Sequence, residues 1–224
     1  NETKKVKETT KFLTQKIKLN NKEDIKILDV GCAAGSFLLH FSKEMPHAKL
    51  HGADVRDDLI KKAKEICPQS EFYNIDIQED LSFENLDFPE NYFDVCIMDG
   101  VHTIFDEIHL WIKNLIKLTN QKGKIYIFGS FNIRDFDVIT RVKHTKSNVW
   151  EKGWNRISTR SVIDEFKKYN YQAKVEKFEI NIDIEEDTND PRRNWTMLAD
   201  GSRLTRNGLE LISSLYLIEC SKNH

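Results

Sequence analysis

The chain has 224 residues, enough for one domain with a sizeable core and short for two. Its 34 Lys and Arg against 36 Asp and Glu give a net charge of -2, which provides no electrostatic footprint for nucleic acid, so no nucleic-acid partner is expected. The longest apolar stretches, KIYIFGSF and LISSLYLIEC, fall far short of the roughly 20 residues of a membrane-spanning helix, and the first residues carry no signal-peptide pattern; a cytoplasmic protein without a membrane partner is expected.

In chain order, residues 1–24 begin with NETKKVKETTKFLTQKIKL, an amphipathic helical pattern with Val6, Phe12, Leu13 and Ile17 available for burial. Five short β-rich runs follow: KILDV (26–30), KLHGADV (49–55), EFYNIDI (71–77), FDVCIMDG (93–100) and KIYIFGS (124–130). Between them lie helical patterns, SFLLHFSKEM, DDLIKKAKEIC and IFDEIHLWIKNLIKL, with apolar residues three and four apart. In the last, Ile104, Ile108, Trp111, Ile112, Leu115 and Ile116 form one stripe, expected to pack on a sheet. Strands alternating with helices predict an α/β domain with a parallel sheet. All four prolines fall between the elements.

Residues 131–224 are less regular. They hold a segment rich in His, Lys, Trp and Arg (141–157), a helix near 159–169, a strand at 172–182 and the acidic run DIEEDTND, expected to be a solvated loop. ADGS between NWTML and RLTR predicts a β-hairpin, and LISSLYLIEC a last strand. The four cysteines, Cys32, Cys67, Cys96 and Cys220, are scattered without a CxxC pair. They are expected to be reduced core thiols, with no metal site and no disulfide framework. A single domain is expected, with a helix over 1–24, a core over 25–130 and a lid with the last strands over 131–224.

The chemistry concentrates in KILDVGCAAGSF. A buried strand that ends in a glycine turn and feeds a helix offers backbone N–H groups and the positive end of a helix dipole to a ligand. That fits a nucleotide, a dinucleotide or S-adenosylmethionine. A dinucleotide site needs G-x-G-x-x-G, whereas Gly31 and Gly35 here flank Cys32, Ala33 and Ala34. No GK[ST] follows, which excludes a P-loop. The run Asp29-Val30-Gly31-Cys32-Ala33-Ala34-Gly35 resembles motif I, (D/E)-x-G-x-G-x-G, of the class I, Rossmann-like S-adenosylmethionine-dependent methyltransferases. Ala33 replaces the middle glycine, the least obstructive departure available.

The resemblance covers residues 25–130. It implies a seven-stranded, mostly parallel sheet with an antiparallel last strand and helices on both faces. It also implies S-adenosylmethionine as cofactor and S-adenosylhomocysteine as product. Asp54 closes the second strand, where a carboxylate can accept hydrogen bonds from both ribose hydroxyls, with Val55 beside it. Asp76 and the backbone of Ile77 are placed by the resemblance at the adenine, and Asp99 and Gly100 where the methionine part meets the substrate. These strand ends lie where open α/β sheets bind ligands. Beyond 130 the chain resembles, more loosely, small-molecule methyltransferases of bacterial surface-polysaccharide modification, in GWNRIS and RNWTMLADGSRLTRNGLELISSLYLI. The capsule O-methyl phosphoramidate pathway enzymes are among them.

Methyl transfer from a sulfonium is an in-line displacement that chiefly needs aligned reactants. A hydroxyl acceptor must also lose its proton, which makes His102 in DGVHT the first candidate base and His144 the second. His109, inside a helical pattern, is expected to be structural. Trp150, Trp154, Asn155 and Arg156 form one aromatic and cationic cluster suited to a phosphate-bearing or sugar-like substrate, and Arg192, Arg193 and Trp195 a second. The expected partner is therefore a small molecule. DGVH lacks the (N/D)-P-P-(Y/F) of base-amino methyltransferases.

Overall fold

A computed structural model describes residues 7–18 and 24–223. The elements run α1 (Glu8–Lys18), β1 (Lys26–Val30), α2 (Ser36–Glu44), β2 (Lys49–Asp54), α3 (Asp57–Ile66), β3 (Glu71–Asn74) and β4 (Phe93–Asp99). A 3-10 turn (Val101–Ile104), α4 (His109–Leu118), β5 (Thr119–Ser130), β6 (Arg141–Lys143), β7 (Trp150–Lys152) and α5 (Thr159–Lys167) come next. The chain ends with β8 (Tyr171–Phe178), β9 (Trp195–Ala199), β10 (Ser202–Arg206), β11 (Ile212–Ser213) and β12 (Leu215–Lys222).

Seven strands form one sheet in the order β3-β2-β1-β4-β5-β12-β8. β1 is parallel to β2 and β4, and β2 to β3, whereas β12 runs antiparallel to β8. This is the expected Rossmann-like architecture, with the last strand inserted beside β5. The chain falls into two compact units: the residues up to Asp99 with His109–Tyr126, and Gly100–Ile108 with Ile127–Asn223. β5 contributes to both.

In the first unit, α1 buries Thr10, Leu13, Thr14 and Ile17; Val6 of the expected helix lies outside the described residues. The core is made by Ile27 and Leu28 of β1, Val95–Met98 of β4, Leu38 and Phe41 of α2, and Trp111, Ile112 and Leu115 of α4. Full burial of each such aliphatic side chain stabilises by about 1.5–3 kcal/mol. All four cysteines are free and buried, as expected. No helix among the described residues is long and apolar enough to cross a membrane.

The second unit packs Ile127 and Phe128 of β5 with Val162 and Phe166 of α5 and with Leu217 and Ile218 of β12 into its core. Ser158 caps α5, its hydroxyl accepting from the Arg160 N–H at 3.1 Å. The expected hairpin is β9–β10, closed by Asp200 (φ 49) and Gly201 (φ 73), both left-handed as a two-residue turn demands.

Three expectations need correction. Residues 104–118 are not one helix: the Phe105 carbonyl, which a continuous helix would give to residue 109, accepts from Asn155 Nδ2 at 2.9 Å, and α4 starts only at His109. Ile104 is accordingly exposed rather than part of the stripe. LISSLYLIEC is not one strand either, because Ile212–Ser213 pairs with β10 as β11 and only Leu215 onward joins the large sheet. The third β-rich run ends as a strand at Asn74, short of Asp76.

Candidate active site

The glycine turn is built from local backbone geometry in the first unit. Gly31 (φ 77), Ala33 (φ 47) and Gly35 (φ 75) all adopt the left-handed region, so the chain reverses tightly between β1 and α2. The Gly31 and Cys32 N–H groups both donate to the Ala53 carbonyl, at 2.7 and 3.0 Å, and the Gly35 N–H to that of Cys32. This pins the turn to the end of β2. A side chain at Gly52 would put its Cβ 2.8 Å from Cys32 Sγ, so the buried thiol needs glycine beneath it. Burial and the neighbouring Asp29 and Asp54 charges push that thiol up, away from reactivity.

Asp54 closes the arrangement. One carboxylate oxygen accepts from the Ala33 N–H at 2.9 Å and the other from the Arg56 N–H at 3.0 Å. Asp54 thus holds the turn while its remaining lone pairs stay available for hydroxyl donors. Gly35 precedes α2 without a side-chain cap, so the first N–H groups of the helix keep their donors for a ligand.

Three acids gather at the ends of β1, β2 and β4. Asp29 is 3 % exposed, and burial, with the charges of Asp99 and then Asp54, pushes its carboxyl up to about 8. Burial likewise raises Asp99 to about 6. Acids that repel one another in a desolvated site are relieved by a cation, which fits the sulfonium and ammonium charges of S-adenosylmethionine.

Asp76 accepts from the Gln78 N–H at 2.8 Å. Ile77 is buried, and its carbonyl accepts from Asn114 Nδ2 at 2.8 Å, the same amide reaching the Glu79 carbonyl at 2.6 Å. Asn114 therefore anchors the loop that carries both residues. Its signal in the sequence is an asparagine three residues after Trp111, beside the apolar stripe of LWIKNLIKL, and the structure buries it fully. Val55 is exposed, with its carbonyl accepting from Asn74 Nδ2.

The second unit holds the remaining candidates. Gly100 (φ 77) donates its N–H to the Phe128 carbonyl at 2.8 Å and opens the 3-10 turn that carries His102. The His102 ring is fully buried, stacks on Phe131 with centroids 4.2 Å apart, and lies where a Cβ on Gly129 would stand 2.6 Å from Cε1. Nε2 lies 3.2 Å from the Ser130 carbonyl and must carry the proton to donate to it, which leaves Nδ1 with a lone pair. That nitrogen is buried without a partner among the described residues. Burial lowers the imidazole to about 4, so it is neutral at physiological pH.

His144 and Arg192 are brought together by Glu151, which pairs with His144 Nε2 at 2.8 Å and Arg192 Nη1 at 2.9 Å. Arg193 instead pairs with Asp187 at 3.7 Å. Trp150 is 63 % exposed on β7, with the Lys143 ammonium 5.7 Å from its ring centroid. Trp154 has φ 55, and Arg156 is half-buried one residue beyond Asn155.

Asn155 is an anchor rather than part of a surface cluster. It is fully buried, its amide nitrogen donates to the Phe105 carbonyl and to Asp106 at 3.1 Å, and its oxygen accepts from the Thr140 N–H at 2.8 Å. Arg141 completes the bracket with a two-pronged pair to Asp106, at 3.1 and 2.6 Å.

A strand, a glycine turn feeding a helix, and acids at the next strand ends define a Rossmann-like domain for an adenosyl cofactor. The chain belongs to the methyltransferase domain family, whose model matches residues 21–180. Over 116 residues it is 28% identical to malonyl-[acyl-carrier protein] O-methyltransferase 1 of Ilyobacter polytropus, a match covering 52% of this chain and 41% of that one. The chain spans less than half the length of the curated relatives it matches, at 42%, 31% and 41%. In structure it is similar to the YcgJ protein of Bacillus subtilis (TM-score 0.62, 12% identity, 95% and 99% of the two chains). It is also similar to a TehB-like SAM-dependent methyltransferase of Corynebacterium glutamicum (TM-score 0.57, 16% identity, 94% and 86%). At these identities the two structures establish the fold.

Proposed function

We propose that this protein transfers the methyl group of S-adenosylmethionine to an oxygen of a small polar metabolite, with His102 as the base. The cofactor supplies an electrophilic methyl group; the protein holds the acceptor in line and takes its proton. The observation that carries this reading is the protonation geometry of His102. Its Nε2–H is committed to the Ser130 carbonyl, so Nδ1 is an unprotonated, unpartnered acceptor in a ring that burial keeps neutral. A hydroxyl is the acceptor group that needs such a nitrogen.

An O-methyltransferase among the relatives supports oxygen as the target. The net charge of -2 and the DGVH sequence in place of a proline-containing motif support a small molecule over nucleic acid. The resemblance of GWNRIS and RNWTML to surface-polysaccharide methyltransferases supports a phosphorylated or sugar-like substrate, in a cytoplasmic step of capsule or polysaccharide modification.

His102→Gln tests the base. A glutamine amide can still donate to the Ser130 carbonyl but offers no basic nitrogen. Release of S-adenosylhomocysteine, screened over sugar nucleotides, phosphoramidates and hydroxy acids, should fall by roughly two to four orders of magnitude with cofactor affinity unchanged. Turnover close to that of the unaltered protein would make His102 a structural residue.

A further inference from the structure

Each arginine but two has a carboxylate partner: Arg56 with Asp58, Arg141 with Asp106, Arg160 with Asp164, Arg192 with Glu151, Arg193 with Asp187, Arg203 with Asp183 and Arg206 with Glu210. Of the other two, Arg134 is exposed and solvated. Arg156 is half-buried, and its guanidinium has neither an ion pair nor a hydrogen bond among the described residues. Withdrawing a cation from water without a partner is costly, and a planar fork of five donors matches a carboxylate or phosphate in shape and charge.

The backbone that carries Arg156 is fixed by long-range hydrogen bonds. The Asn155 N–H donates to the Thr103 carbonyl at 2.8 Å, Arg156 and Val138 exchange both N–H to carbonyl bonds at 3.0 Å, and the Ile157 carbonyl accepts from Asn132. Asn155 and Ile157 on either side are both buried, at 0% and 1% exposure. Two residues before Arg156, Trp154 is held at φ 55, a conformation a bulky side chain adopts only when its surroundings impose it. The segment thus fixes the backbone that carries an unpaired cation.

We propose that Arg156 receives an anionic group, a carboxylate or a phosphate, of the methyl acceptor. The inference rests on the methyl-transfer reading above and names the charge class of its substrate. Burial also lowers the Arg156 guanidinium from its ordinary value, without a neighbouring charge to offset it. An incoming anion supplies that offset, and a bidentate contact adds geometric selection over a neutral acceptor of the same size.

The test follows the arginine Nε–H NMR signals of the full chain while inorganic phosphate and, separately, acetate are titrated in at constant ionic strength. Arg156→Gln identifies the signal by its loss; should that variant fail to fold, Arg156→Lys identifies it while keeping the charge. The Arg156 signal is expected to shift saturably and several times farther than that of exposed Arg134. Saturation by phosphate alone or by acetate alone names the anion. A shift no larger than that of Arg134 with both anions overturns the inference. S-adenosylhomocysteine binding, measured by calorimetry on the same sample, separates the two failures. Binding without anion engagement leaves methyl transfer standing and sinks the anionic acceptor; no binding sinks the methyl-transfer reading and the acceptor inference with it.

Discussion

Two short segments, one in each compact unit, solve similar backbone problems with opposite charge. The turn over Gly31–Gly35 holds Ala33 at φ 47, and the segment Gly153–Arg156 holds Trp154 at φ 55. Neither residue is glycine, so each conformation costs energy that surrounding hydrogen bonds must offset. Around the first gather three carboxylates, Asp29, Asp54 and Asp99; burial raises Asp29 and Asp99, and the charges of the other two acids raise Asp29 further. Beside the second stands an arginine with no counter-ion among the described residues. The first region is thereby complementary to a cation, as the sulfonium cofactor is, and the second to an anion. The sign of the unpaired charge tells which ligand each is built for.

The largest effect expected in the acidic region follows removal of Asp54, since its carboxylate does two things at once. Asp54→Ala withdraws the acceptor of the Ala33 and Arg56 N–H groups and the acceptor available to the ribose. Loss of charge-assisted hydrogen bonds of this kind costs roughly 1.5–3 kcal/mol, so calorimetric affinity for S-adenosylmethionine should drop on the order of ten- to hundredfold. An unchanged affinity would mean that the acidic region is not the cofactor site.

A smaller effect sharpens the charge argument. Asp29 in the ligand-free protein stays protonated up to about pH 8, whereas in the unfolded chain it ionises near its ordinary value of 3.8. Its folded value is raised, so its burial leaves stability intact below pH 4 and costs stability increasingly from there to pH 8, with no further loss above. A cation bound beside it lowers that value and expels the proton. Cofactor affinity should therefore rise with pH from about 6, where Asp99 titrates, to about 8 and level off beyond. Asp29→Asn should flatten the upper half of that profile, weaken binding at pH 8 by roughly tenfold, and raise the melting temperature of the ligand-free protein at the same pH. A pH-independent affinity in the unaltered protein would show that the acids do not respond to the cofactor charge.

The two regions also differ in how much of them was legible in the sequence. The acidic one was readable because every member lies at the end of a short apolar run, and strand ends in an open α/β sheet converge by topology alone. Asp29, Gly31, Ala33, Gly35 and Asp54 meet through hydrogen bonds between neighbouring strands. The second region depends on contacts that no periodicity encodes. Asn155 captures the Phe105 carbonyl fifty positions away, and the helix that the apolar stripe of IFDEIHLWIKNLIKL predicted starts only at His109. His144 and Arg192, placed in separate roles by sequence, share one carboxylate on Glu151. Asn114 sits between these cases: its contacts to the Ile77 and Glu79 carbonyls are long-range, yet an asparagine among apolar neighbours stands out in the sequence.

The smallest expected effect bears on the strain itself. Ala33 occupies a left-handed conformation that costs an L-residue roughly 1–2 kcal/mol, and its methyl group belongs to an exposed residue. Ala33→Gly removes that cost but frees the unfolded chain, which gives back roughly 0.4–1 kcal/mol. The net gain in stability should lie between about 0 and 1.6 kcal/mol, visible as a small rise in denaturant midpoint with an unchanged slope. The Ala33 N–H, not its side chain, contacts Asp54, so cofactor affinity should stay the same. A loss of affinity on this substitution would mean that the alanine at the middle position of motif I is selected for its methyl group, and that the strain in the turn is part of how the cofactor is held.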